Sequence, residues 1–283
     1  MEKKTFIIHH NADLDWVFGG AVLKIAHPDA KLVPMQYWDD IDLKQFEGHT
    51  VYMVDFSLPR EQMKELNDNS NLIRLDHHIS SIKEMEGLEI AWDRDTKRAG
   101  CLIAFEYLWN NHVEWCGEYK DIIQLISNYD IRKQDENRED ITLPFQYWVR
   151  QEVWLSVDQA IFYLDTTSDA GIHDTIDAWD RILEAQRKMY KDRCSKAWEI
   201  EFDWHNCIAL FGPKWGNSLV FDSVYDKEKH DMMVYIRYSI KDKNYTISLY
   251  SETIDCSLVA KKYGGWWHKW ASWFMCKELP FTI

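Results

Sequence analysis

Short apolar runs alternate with longer segments whose apolar residues recur every three or four positions through the first half of the chain. That alternation is the pattern of parallel strands joined by crossover helices. It predicts strands over residues 5–9, 31–37, 51–55, 71–76 and 88–91, and helices over 17–26, from about Leu58-Pro59 onward, over 99–110 and over 119–129. Pro34 has no backbone N–H to give a central ladder, so the second strand is expected at a sheet edge or shortened. Pro59 suits a first helical turn.

The pattern changes near Thr166. Ile172, Ile176, Trp179, Ile182, Leu183, Met189, Tyr190, Cys194 and Trp198 recur at helical spacing through a charged stretch, which predicts a connecting helix within residues 166–203. After Trp204 the period becomes two, with strands expected over 206–211, 219–221, 232–239 and 245–251 and a helix over 257–262. The chain therefore reads as α/β: an N-terminal parallel-sheet domain with flanking helices (1–165), the connecting helix, and a smaller C-terminal mixed α/β domain (204–283). A cleft between two such domains is the default place for a substrate.

Several predicted strands end in acid or imidazole, which strand propensity does not explain. Residues 6–8 run into His9-His10, with Asp13 and Asp15 following; 51–54 into Asp55; 71–75 into Asp76-His77-His78; and the helix over 119–129 into Asp130. In open α/β sheets ligands bind beyond the carboxyl ends of the strands. Carboxylate and imidazole suit hard or borderline divalent ions, and two ions roughly 3.5–4 Å apart can hold both an attacking water and a phosphate oxygen. His9, Asp13, Asp15, Asp55, His77 and Asp130 are enough ligands for such a pair, with Asp55 the natural bridge on a central strand. Arg98-Ala99-Gly100 opens a helix with small residues, serving either a phosphate at the helix N-terminus or a tightly packed turn.

Composition narrows the partners. A formal charge of −14 argues against a protein that coats long duplex DNA, while small anionic substrates remain compatible if cations supply the local charge. The six cysteines are scattered without C-x-x-C spacing and read as reduced core residues of a cytoplasmic protein. The N-terminus leads straight into a strand, so neither a signal segment nor a membrane span is expected. Most of the fifteen tryptophans must serve the core. The oligomeric state, a homodimer included, is left open.

His9-His10-Asn11-Ala12-Asp13-Leu14-Asp15, Val54-Asp55, Asp76-His77-His78 and Asn128-Tyr129-Asp130 resemble, in order, the four motifs of the DHH phosphoesterases, a group that includes RecJ-like and oligoribonuclease-like enzymes. The stretch from Gly264-Gly265 through Trp266, Trp267, His268, Lys269 and on to Phe274 is similar to the glycine-rich signature of the DHH-associated C-terminal domain. The resemblance implies a metal-dependent phosphodiester hydrolase acting on short single-stranded oligonucleotides or small nucleotides. The alternatives within that class are a cyclic or linear dinucleotide phosphodiesterase and a 3′-phosphonucleotide phosphatase. It implies two divalent ions, Mn2+ ahead of Mg2+ or Co2+, and a water activated between them. His9, Asp13 and Asp55 would hold the first ion, and Asp15, Asp55, His77 and Asp130 the second. His9 lies four residues before Asp13, as the motif requires, and is favoured over His10. His78 and His268 would face the scissile phosphate, with Lys269, Gly264 and Gly265 on the substrate side and Asp76 orienting the histidines. Trp16 stands where the family commonly has Gly or Ala. Trp266, Trp267 and Trp273 stand where it has small residues, so the pocket is expected to be altered but working, with indoles available to stack on a base. The rival from another class is a nucleotide-binding or sequestering protein without turnover.

Overall fold

A computed structural model describes residues 2–10, 13–36, 39–93, 95–111, 118–133, 135–167, 172, 176–213 and 216–282, with the backbone alone at 80, 92, 93, 176–178 and 266–268. Asn11, Ala12, Tyr37 and Cys116 lie outside the described residues, as do the side chains of Trp266, Trp267 and His268. The chain divides into two compact units, Met1–Leu183 and Glu184–Ile283.

In the first unit β1 (Thr5–His10), β2 (Lys31–Met35), β3 (Thr50–Val54), β4 (Asn71–Leu75) and β5 (Ala91–Asp93) form one parallel sheet in the order β2-β1-β3-β4-β5. The helices are α1 (Leu14–Ala26), α2 (Arg60–Asn69), α3 (Ile79–Glu84), α4 (Gly100–Asn110), α5 (Lys120–Asp130), α6 (Leu143–Val153) and α7 (Val157–Thr166). Both sheet faces are covered, which is why the strands read as nearly unbroken apolar runs. Ile7, Val54 and Leu75 pack with Val17 and Phe18 of α1 and Leu102 of α4. Phe6, Ile8, Met53 and Leu72 pack with Met63 and Leu66 of α2 on the opposite face. β2 pairs with β1 alone, the edge position that Pro34 demands.

Successive strands step outward from β1 in opposite directions, to β2 on one side and β3 on the other. The carboxyl ends of β1 and β3 therefore flank the switch in strand order, where the connecting segments diverge and leave a crevice. The expected strand over 88–91 is instead β5, starting at Ala91, because the chain spends Gly87 at φ 82° and the residues after it returning from α3 to the sheet.

The second unit carries a six-stranded mixed sheet, β10-β11-β9-β8-β7-β6, in which β7–β8 is the parallel pair. Its strands are β6 (Trp198–Phe202), β7 (His205–Phe211), β8 (Met232–Ser239), β9 (Asn244–Tyr250), β10 (Trp266–His268) and β11 (Ala271–Cys276). Helix α8 (Ile176–Cys194) precedes the sheet and α9 (Cys256–Lys262) packs against β11. Phe202, Val234, Ile236, Leu249 and Phe274 fill the core.

Two expectations fail here. Trp198, read as the last apolar position of the long helix, begins β6 and pairs with Ala209. Residues 219–221 lie in a 3-10 turn, Ser218–Phe221, because the Asn217 side chain accepts the Leu219 N–H at 3.1 Å and closes the turn. The described cysteines, Cys101, Cys194, Cys207, Cys256 and Cys276, are free thiols. No helix among the described residues is long and apolar enough to cross a membrane.

α4 begins hard against the end of β3. A Cβ placed on Gly100 would lie 2.7 Å from Asp55 Cβ and 3.1 Å from its Cα, closer than packed carbon atoms tolerate. Gly100→Ala is expected to cost about 1–3 kcal/mol in urea unfolding through overpacking. Because the displaced residue is Asp55, it is also expected to weaken divalent-cation binding measured on the folded variant.

Candidate metal centre

The side chains read from the sequence as ligands arrive by separate devices. Asp13 caps α1, its Oδ1 accepting the N–H groups of Asp15 at 3.1 Å and Trp16 at 3.4 Å. Asp15, in the first turn of α1, receives the N–H of Gly100 at 2.8 Å on Oδ2 and that of Cys101 at 2.7 Å on Oδ1. The α4 N-terminus is thus filled by a carboxylate of the chain itself, and the two small residues before Cys101 serve a packed turn. Asp55 follows β3 with φ 50°, a left-handed conformation that Asp tolerates better than most residues but that still costs about 1–3 kcal/mol. Asp130 is the last residue of α5, where the helix dipole disfavours an anion.

These carboxylates converge on one imidazole. His77 Nε2 lies 3.3 Å from Asp55 Oδ1, 3.3 Å from Asp130 Oδ2 and 3.5 Å from Asp15 Oδ2. Two triads, Asp55-His77-His78 and Asp15-His77-Asp130, each bring three donor atoms within 4.8 Å of one another. Asp55 Oδ1 is buried with no hydrogen-bond donor among the described residues. Burial, then the charges of Asp15, Asp13 and Asp130, push the Asp55 carboxyl well above the ordinary range. Burial, then Asp15 and Asp13, do the same to Asp130, with Arg132 and Arg150 pulling the other way. Asp13 is raised to about 6, first by desolvation and next by Asp15. Burial and the neighbouring His78 lower His77 to about 4, so its imidazole is neutral near pH 7 and able to ligate. An orphaned carboxylate oxygen, crowded acids and a neutral imidazole are the donor set a divalent cation would satisfy.

Behind the triads lies a buried ionic network of which the sequence pointed to Asp76 and His78 but not to Arg74, Ser57 or Ser81. His78 Nδ1 is 2.6 Å from Asp76 Oδ1, and the other Asp76 oxygen meets Arg74 Nη2 at 2.6 Å and the Ser57 hydroxyl at 2.8 Å. Arg74 also donates to Ser57 at 2.7 Å and Ser81 at 2.6 Å. Burial opposes the Asp76 charge, yet Arg74 and then His78 hold its carboxyl well below the usual range. Burial likewise opposes charge on His78, and Asp76 overcomes it, so the net shift is upward. Asp76 has 0% exposure and acts on the site through His78 as a positioning residue.

No family model and no curated protein matches the chain. Solved structures do. The pGpG-specific phosphodiesterase PggH from Vibrio cholerae is similar with TM-score 0.54 and 11% identity, over 96% of this chain and 93% of that one. RecJ from Thermus thermophilus, solved with Mn2+, is similar with TM-score 0.53 and 16% identity, over 96% of this chain but 49% of RecJ. An exopolyphosphatase-related protein from Bacteroides fragilis has TM-score 0.50 and 13% identity, over 99% and 88% of the two chains. The chain shares the α/β fold of PggH and RecJ, the fold that the DHH motifs predicted.

Within that fold the remaining expected residues are placed as follows. His9 and His10 fall on opposite faces of β1: His9 stacks on Trp16 at 4.7 Å, and His10 stacks on Phe56 at 6.0 Å while its Nε2 meets Gln36 Oε1 at 3.1 Å. Trp16, buried and packed on His9, is a support for that ring. Among the described residues neither His9 nor Asp13 falls in a triad of donors, although the Asp13 charge acts on Asp55, Asp130 and His78. In the second unit the expected glycine-rich loop is a hairpin, β10 paired with β11. Gly264 turns at φ 76°, and a Cβ on Gly265 would strike the Trp273 carbonyl oxygen at 2.2 Å, so both glycines are needed by the turn itself. Lys269 Nζ sits 4.1 Å over the Trp270 ring. The His268 side chain lies outside the described residues.

Two outcomes are expected. Arg74→Ala leaves the Asp76 carboxylate buried without its main counter-charge and should cost about 3–5 kcal/mol by chemical denaturation; a loss below about 1 kcal/mol would contradict the network. The raised carboxyls, Asp13 at about 6 among them, hold protons that a cation must displace, whereas His77 is already neutral. Apparent Mn2+ affinity should therefore fall between about pH 7 and about pH 5, and calorimetry in buffers of different ionisation enthalpy should show proton release on binding.

Proposed function

We propose that this protein is a metal-dependent phosphoesterase that cleaves phosphodiester bonds in small nucleotides or short single-stranded oligonucleotides. The convergence of Asp15, Asp55 and Asp130 on His77 carries the reading. Asp55, His77, Asp15 and Asp130 would hold one divalent cation, and Asp55 with Asp13 and His9 a second, Mn2+ being the expected ion. Bound cations would lower the pKa of a water and polarise a phosphoryl oxygen. His78, held at its Nδ1 by Asp76, is then placed to donate to a phosphate oxygen, with His268, Lys269, Gly264 and Gly265 as the expected contributors from the second unit. The net charge of −14 favours a short substrate over long duplex DNA.

A dinucleotide is the second reading, favoured by the likeness to PggH, whose name assigns it to pGpG. Purified protein with Mn2+ would be assayed against a linear dinucleotide, a short oligonucleotide, a 3′-phosphonucleotide and pyrophosphate. Turnover is expected on the first two and should disappear with chelator. Asp55→Asn should lose more than about hundredfold in kcat, since even residues behind a metal ligand cost 10–100-fold. Undiminished hydrolysis by that variant would refute the two-cation reading, and nucleotide binding without turnover in saturating Mn2+ would point to a sequestering protein.

A further inference from the structure

The DHH-type centre accounts for the acids but leaves a row of polar groups unexplained, running from the residue before α6 along that helix. Thr142, Gln146 and Arg150 are spaced four residues apart, so they share one helical face. Thr142 Oγ1, Gln146 Oε1 and Arg150 Nε are each buried with no hydrogen-bond partner among the described residues. Buried side-chain polar atoms are nearly always satisfied, so three open positions in one row leave hydrogen-bonding capacity that a bound group could meet.

The row ends beside the acidic cluster. α6 packs against α5, and the Arg150 guanidinium carbon lies 6.0 Å from the ring centroid of Tyr129, the neighbour of Asp130. Its charge is felt by both Asp13 and Asp130. Yet among the described residues Arg150 forms no ion pair with either acid. A guanidinium that is near carboxylates but bonded to none keeps its planar fork of donors for another partner, and that fork matches two oxygens of a phosphoryl group. Gln146, one turn earlier, presents a carbonyl oxygen that needs a donor. The amino or hydroxyl groups of a nucleoside would supply one next to its own phosphate.

We propose that Arg150 anchors a phosphoryl group of the substrate beside the cation site, and that Gln146 accepts a hydrogen bond from the adjoining nucleoside. This rests on the phosphoesterase reading for its substrate class. It predicts a preference for substrates that carry a phosphate next to a nucleoside over a bare phosphoanion.

Binding of inorganic phosphate and of a nucleoside 5′-monophosphate would be titrated in saturating Mn2+ for the wild type, Arg150→Gln, Arg150→Lys and Gln146→Met, alongside kcat and KM on whichever assay substrate turns over. Arg150→Gln should weaken both ligands by roughly tenfold or more, the worth of a charged hydrogen bond. Arg150→Lys, which keeps the charge but loses the fork, should fall between. Gln146→Met should weaken the nucleotide and leave inorganic phosphate unchanged. Wild-type phosphate affinity in Arg150→Gln or Arg150→Lys overturns the proposal, as does a change in Mn2+ affinity with none in phosphate affinity, which would make Arg150 only a charge balance for the acids. If no substrate is turned over but the phosphate effects appear, the anchor stands and the hydrolase reading falls. If turnover is cation-dependent while KM and phosphate binding ignore Arg150, the reverse holds.

Discussion

Three carboxylates held around one neutral imidazole are the constraint from which the rest of the first unit follows. Asp15, Asp55 and Asp130 repel one another, and nothing in their own chemistry would keep them 3.3–3.5 Å from His77 Nε2. Each is therefore fixed by backbone. Asp15 is clamped by two amides of α4, Asp55 is set in a left-handed turn with Gly100 pressed on its Cβ, and Asp130 terminates α5. A helix start that would otherwise attract a phosphate is used to hold the Asp15 carboxylate in place. The strain and the crowding are the cost of this preorganised cluster, and a divalent cation bound there would offset them.

The Arg74, Asp76 and His78 network does the opposite kind of work. A guanidinium and a carboxylate with no solvent exposure repay their desolvation only when their donors and acceptors are largely met, and here two serine hydroxyls add to the ion pair. Such a network adds little net stability against an apolar core. What it adds is orientation: with Nδ1 committed to Asp76, the remaining ring nitrogen of His78 has one direction to face.

The parallel sheet, its edge strand and the acids at the strand ends were legible because burial on both faces and the loss of an amide at Pro34 act locally. Elements set by distant partners were not. Trp198 continues a helical spacing but is claimed by pairing with β7, and the glycine stretch of the second unit runs from the end of α9 into a hairpin, Gly264 permitting the turn off the helix and Gly265 the approach to Trp273. Arg74 did leave a signal: a charge inside an apolar strand, two residues before Asp76 and so on the same face, demands a counter-charge there. The small residues before Cys101 left two readings open, a phosphate site or a packed turn, which only Asp15 across from them decides, and the polar row running into α6 left no signal, since a four-residue spacing of polar side chains is ordinary on a helix until the neighbour across it is known.

Sheet order explains why so few segments suffice. With β1 and β3 adjacent and their connections leaving on opposite sides, the loop after β1, the turn after β3 and the segment after β4 open onto the same crevice. Asp13 and Asp15 at the start of α1, Asp55, and His77-His78 follow these three neighbouring strand ends, and Asp130 is brought in from the far end of α5. A position whose ligands come from neighbouring strands of one rigid sheet can hold a fixed spacing while the surrounding helices vary. That leaves variation to the elements outside the sheet, and α6, which supplies none of the clustered acids, carries buried polar atoms of Gln146 and Arg150 that have no partner among the described residues.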